Sequence, residues 1–113
     1  MEAIKIKKSS EYKLVLANGK RINSSNFNLQ YLPSEDKSIR IGITASKKLG
    51  NAVKRNYIKR RIRALFFKIF LKSSIQAKHY VIIGKKGILF EKFDSLYEEL
   101  KLSFKNIEKQ DNE

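Results

Sequence analysis

The sequence has no cysteine, one proline, one histidine and five glycines in 113 residues. Without cysteine there is no disulfide, no thiolate zinc site and no thiol nucleophile, a usage that suits a reducing compartment. No run of 18 apolar residues occurs, and residues 1–10 are basic and polar without an apolar segment. Neither a membrane span nor a signal peptide is therefore expected, and the reading is of a soluble, cytoplasmic protein. The usual catalytic sets are missing too. His79 stands alone, and there is no glycine-rich phosphate loop, no Ser-His-Asp set and no metal-ligand spacing. Neither a catalytic residue nor a metal ligand is expected in the protein.

The most informative absence is of negative charge. Residues 37–90 carry fifteen Lys or Arg and no Asp or Glu. Residues 1–36 carry six basic and four acidic side chains, and residues 91–113 carry four and seven, for a net charge of +14. Folded surfaces ordinarily mix signs and so avoid self-repulsion. A segregated cationic stretch calls for a polyanionic partner, with nucleic acid ahead of an anionic membrane surface. The hydrophobic fraction of 42%, with seven Phe and five Tyr, is enough for a core, and the length fits one domain over 1–113.

Patterning sketches the elements. Residues 27–32 alternate with Phe27, Leu29 and Tyr31 on one face, and residues 39–45 alternate with Ile39, Ile41, Ile43 and Ala45. The run from Pro33 to Asp36 reads as the turn between them, predicting a hairpin, with 20–23 as a short strand beside it. Residues 79–84 form an apolar run ended by glycine, predicting a strand buried on both faces. Residues 93–107 carry a helical stripe of Phe93, Leu96, Tyr97, Leu100 and Phe104, with Asp94, Glu98 and Glu99 on the solvated side. Residues 12–17 followed by Asn18-Gly19 fit two readings. One is a strand entering a tight hairpin; the other is a helix capped by Ser9 or Ser10 and stopped at Gly19.

The segment 47–71 is the most structured. Gly50-Asn51 supplies an N-cap, and neither Gly nor Pro interrupts the next twenty residues. At 100° per residue, Ile58, Ile62, Leu65, Phe66 and Ile69 share an arc of about 100°. Asn56, Lys59, Arg60 and Arg63 line one flank; Lys54, Arg61, Lys68 and Lys72 line the other. Arg55 falls near the apolar arc. Arginine and asparagine suit phosphate oxygens, 2′-hydroxyls and base edges. Amides at the helix start, with Lys47 and Lys48 just before it, add an anion site.

The run from Ser46 to Arg63, Ser-Lys-Lys-Leu-Gly-Asn-Ala-Val-Lys-Arg-Asn-Tyr-Ile-Lys-Arg-Arg-Ile-Arg, resembles the signature of the bacterial ribonuclease P protein component. The likeness extends to Lys7-Lys8, Tyr12, the 27–32 strand, Arg40-Ile41-Gly42, the 80–83 strand and a closing helix. It implies an α/β (α+β) two-layer sandwich of order αβββαβα, like the second domain of ribosomal protein S5. A left-handed crossover around the long helix is implied as well, against the usual rule. It also implies that the Tyr12 segment is helical.

In function, the resemblance implies the protein subunit of an RNA-based endoribonuclease. The catalytic RNA subunit removes the 5′ leader of precursor tRNA with Mg²⁺ ions that it mainly holds itself. The RNA-binding positions carried over are Lys47, Lys48, Arg55, Asn56, Lys59, Arg60 and Arg63. The leader-cleft positions are Lys8, Tyr12, Leu16, Asn28, Gln30, Thr44 and Ser46. Three residues depart from the family pattern: Tyr57 replaces an arginine, Leu16 an aromatic and Gln30 a tyrosine. Neither a membrane nor DNA is an expected partner. The alternative is a non-catalytic ribosomal or rRNA-binding protein of the same fold.

Overall fold

The computed structural model describes residues 3–6, 9–73 and 75–111. A short strand, β1 (Ala3–Lys5), precedes helix α1 (Ser9–Asn18), and strands β2 (Lys20–Asn23), β3 (Phe27–Pro33) and β4 (Ile39–Ala45) follow. Then come the long helix α2 (Ala52–Lys72), strand β5 (Lys78–Gly84) and helix α3 (Phe93–Asp111), with 3₁₀ turns at Lys47–Leu49 and Lys86–Leu89. From α1 onward this is the expected αβββαβα order; β1 is added in front.

The strands lie in the order β1-β4-β5-β3-β2. β3 and β4 do not pair with each other. β5 sits between them, antiparallel to β3 and parallel to β4. The expected hairpin of 27–32 with 39–45 is therefore overturned: alternation reports which face of a strand is buried, not which strand lies beside it. The hairpin in the fold joins β2 to β3, with Lys20 opposite Tyr31 and Asn23 opposite Asn28.

One face of the sheet holds the main core. Phe27, Leu29, Tyr31, Ile39, Ile41, Ala45, Tyr80 and Ile82 meet Ile58, Ile62, Leu65, Phe66 and Ile69 of α2, and Leu96, Leu100, Phe104 and Ile107 of α3. The five buried residues of α2 are the five of the arc read from the sequence. Each fully buried Leu, Ile or Phe contributes roughly 1.5–3 kcal/mol. On the opposite face Ile6, Val15 and Val81 form a smaller cluster with Tyr12, Leu32 and Ile83 against it. β5 is thus buried on both faces, as its unbroken apolar run predicts.

The Tyr12 segment is a helix. Val15 anchors it to the sheet, while Leu14 and Leu16 stay exposed, which is why alternation misleads there. The Gly19 N–H closes the helix on the Val15 carbonyl at 2.8 Å, and a Cβ on Gly19 would lie 2.4 Å from that oxygen. Asn51 caps α2, its Oδ1 accepting from the Lys54 N–H at 3.0 Å. After β3, the Asp36 carboxylate closes a turn by accepting from Ser34 Oγ, Ser38 N and Ser38 Oγ. Its hydrogen bonds to Ser38, then Ser34, then Arg40, hold its pKa well below the usual carboxylate range.

One expectation for α3 fails. Glu99 is not on a solvated face. Its carboxylate accepts from Ser24 Oγ at 2.6 Å and from the Asn26 N–H and Nδ2 at 2.7 Å each. It fastens the β2–β3 connection to α3.

Candidate nucleic-acid interface

The two polar flanks of α2 differ in their partners. On the flank toward α3, Arg61 donates to the Ile88 and Glu91 carbonyls, the latter at 2.9 Å. Its guanidinium also lies 5.8 Å from the Tyr57 ring centroid. Lys68 sits 4.4 Å from the Tyr97 centroid and 5.5 Å from that of Phe93. These cations hold α2 to the rest of the fold. On the other flank Asn56, Arg60 and Arg63 are exposed and Lys59 is half-buried. Arg40 forms ion pairs with Glu11 and Asp36, at 2.8 and 3.2 Å, and among the described residues none falls on this flank of α2. The flank of Asn56, Lys59, Arg60 and Arg63 is thus a row of donors with no internal acceptor. Arg55 lies half-buried between flank and core, its Nε covered and unpaired.

The second element is a trough on the other face of the sheet. Helix α1 runs across the strands: Tyr12 lies on β4, Val15 on β5 and the Leu16 carbonyl beside Gln30 of β3. Tyr12 is fixed by its hydroxyl, which accepts from the Ile43 N–H at 3.0 Å. Its ring occupies the space a side chain on Gly42 would take, with a Cβ there 2.7 Å from the ring. The register places Gly42, Val81, Gln30 and Arg21 in one row; α1 covers the first three, and Arg21 stays exposed. The next row is Thr44, Ile83, Asn28 and Asn23. It runs beside α1, with the first three half-buried and Asn23 exposed. At three strand spacings it is about 14 Å long.

Both elements meet at one end of the sheet. Row residue Thr44 is next to the end of β4, and Ser46, Lys47 and Lys48 follow as an exposed turn leading to α2. Ser46 Oγ accepts from the Lys48 N–H at 3.2 Å, and Gly50 takes φ +132°, where a side chain would be strained. The uncharged row thus leads, through the lysine pair, to the start of the cationic helix α2.

Of the expected cleft residues, Asn28, Thr44 and Ser46 border the trough, and Tyr12 and Leu16 form its helical wall. Gln30 is 2% exposed, with its amide at the Leu16 carbonyl and Arg21 nearby. Expected as a cleft residue, Gln30 lies beneath the helical wall and is spent on it rather than presented as a free group. Lys8 lies outside the described residues. Asn23 and Ile83 join the row only through strand register, which periodicity does not reveal. Arg40, noted in sequence only as part of the Arg40-Ile41-Gly42 likeness, bridges α1 to the 34–38 turn.

The flank of α2 is poorly suited to a divalent cation. Mg²⁺ takes hard oxygen ligands, whereas the α2 flank offers mainly nitrogen donors. No cluster of three His, Asp or Glu occurs among the described residues. No helix among the described residues is long and apolar enough to cross a membrane.

Comparison with known proteins agrees with this geometry. Residues 1–108 match the family model described as Ribonuclease P. The ribonuclease P protein component of Streptococcus agalactiae is 38% identical over 84 residues, covering 74% of this chain and 75% of that one. The Staphylococcus epidermidis protein component is 41% identical over 86 residues, covering 75% and 73%. The solved structure of the Staphylococcus aureus RNase P protein superposes with a TM-score of 0.79 at 31% identity, covering 94% of this chain and 96% of that one.

Proposed function

Because the chain belongs to the family of ribonuclease P protein components, we propose that it holds the catalytic RNA and the 5′ leader of precursor tRNA against each other. The protein is a ribonuclease P subunit in tRNA processing. In the proposed division of labour the RNA performs the cleavage. The free flank of α2 docks on that RNA, and the trough beside α1 takes the single-stranded leader.

The observation that carries this reading is the asymmetry of α2. Arg61 and Lys68 are used up on the protein's own carbonyls and rings. Asn56, Lys59, Arg60 and Arg63 have no internal acceptor, and residues 37–90 supply no carboxylate to provide one. Phosphates are acceptors that would satisfy them. In the trough, Asn23, Asn28 and Thr44 offer amide and hydroxyl groups to base edges, while Tyr12 and Leu16 supply a less aromatic wall than the family pattern. Stacking on an aromatic is worth roughly 1–3 kcal/mol per base, so leader affinity here rests more on phosphate contacts. Mg²⁺ would be held by RNA phosphates. The protein's part is to lower the repulsion between two polyanions, so that fewer free cations are needed.

The test is cleavage of a precursor tRNA by the cognate RNA subunit at low Mg²⁺, with and without this protein. Stimulation is expected. A paired binding measurement compares 5′-extended with mature tRNA in the presence of that RNA. Tighter binding of the extended form is expected, and equal affinity would remove the leader from the proposal.

A further inference from the structure

The outward face of α2, opposite its buried stripe, is not simply polar. Val53, Tyr57, Arg60, Ala64, Phe67 and Leu71 follow one another at intervals of four and three residues. On a helix this spacing gathers them within an arc of about 80° and along about 27 Å. All six are exposed: Val53 at 76%, Tyr57 at 41%, Phe67 at 44% and Leu71 at 80%, with Arg60 and Ala64 also in the exposed class. An apolar ridge broken by a single arginine thus stands on the solvent side. Asn56 and Arg63 border it on one side, and Lys54, Arg61, Lys68 and Lys72 on the other.

We infer that this ridge is a stacking surface for unpaired nucleobases of the partner RNA, with Phe67 and Tyr57 as its two ring contacts. The inference rests on the proposed docking of α2 on that RNA and adds what the cationic flank alone does not supply. Charge complementarity selects the occupant. A second copy would bring the same cations against themselves, and α2 contains no acid to relieve them. An RNA brings phosphates to the free bordering cations Arg63, Lys54 and Lys72, and flat apolar faces to the ridge. The Phe67 ring is already held, edge-on to buried Phe66 with centroids 5.8 Å apart, so stacking on it requires little further ordering.

Two readouts separate stacking from charge. Binding of the cognate RNA subunit is titrated at several salt concentrations for the natural sequence, Phe67→Ala, Leu71→Ser and Arg63→Ala. Phe67→Ala is expected to weaken binding about tenfold with an unchanged log–log salt slope, because no counterion is released at an apolar contact. Arg63→Ala is expected to reduce the slope. Leu71→Ser, at the most exposed position, guards against misfolding and is expected to weaken binding severalfold, again with an unchanged slope.

The chain has no tryptophan, so Phe67→Trp makes a single reporter. Its fluorescence is expected to be quenched by the RNA subunit, while Leu102→Trp on the outer face of α3 is not. Full affinity in Phe67→Ala and Leu71→Ser together, or an unquenched Phe67→Trp, would overturn the ridge inference while leaving RNA docking intact. If the natural sequence does not bind the RNA subunit, both fall. Dimerisation lost in Phe67→Ala, or preferential binding to anionic phosphatidylserine vesicles, would assign the ridge to another occupant and overturn it as well.

Discussion

Arg60 and Arg61 are neighbours in sequence, yet one points to solvent without a partner and the other is bound to two backbone carbonyls. Their alanine variants should therefore fail differently. Arg60→Ala is expected to keep its melting temperature, weaken binding of the RNA subunit and lower the magnitude of the salt slope by about 0.7–0.9 per lost phosphate contact. Arg61→Ala is expected to destabilise the fold by about 1–2 kcal/mol, since two carbonyls lose a charged donor, with the salt slope nearly kept. Thermal melts beside salt titrations decide. The same scale explains what was hidden in the sequence. Helical angle alone separates the two flanks of α2, but only the position of α3 tells which flank is occupied. Gln30 alternates correctly with its neighbours, and its burial under α1 required knowing where α1 lies.

At the scale of elements, α2 and α3 were legible because twenty or so residues of unbroken period average out local exceptions. α1 was not legible from its pattern. With one buried apolar residue, Val15, it has almost no stripe; the capping residues allow a helix, and only the resemblance decides for it over a hairpin. The short separation of β3 and β4 suggests a hairpin, while the strand between them arrives from 33 residues past the end of β4, an interval that no local signal reports. Two elements depend on single carboxylates. Glu99→Ala should free the 24–26 connection and cost about 1–3 kcal/mol in urea unfolding, with faster hydrogen exchange at the Asn26 amide. Asp36 has a folded pKa below its unfolded value near 3.9. Its contribution is therefore present at neutral pH and lost as pH falls through and below the ordinary carboxylate range. Asp36→Asn should flatten that part of the acid-stability curve. Gly42→Ala should displace the Tyr12 ring, destabilising the protein by about 1–3 kcal/mol and weakening leader binding more than RNA-subunit binding.

For the molecule as a whole, the carboxylate-free stretch was readable at once, and with it the polyanionic partner. The pairing of the helix flank with a trough on the other sheet face was not, since that needs the sheet order. The surface works as a unit, so total affinity for a precursor tRNA complex should fall steeply with salt. His79 stands in β5 with its Nε2 covered and unpaired, away from the Thr44–Asn23 row. His79→Ala is expected to retain full stimulation of cleavage at low Mg²⁺ in the reconstituted assay; loss of stimulation with the fold intact would reopen a chemical role for the protein.

The strand at the middle of the sheet is the last of the five to leave the ribosome. Until residues 78–84 emerge, β3 and β4 have no common neighbour, and the apolar stripe of α2 has no finished surface to settle on. A nascent chain of this protein therefore stays open through two-thirds of its synthesis, with its cationic half already made and exposed. Any RNA near the exit site meets those lysines and arginines before the fold that disciplines them exists.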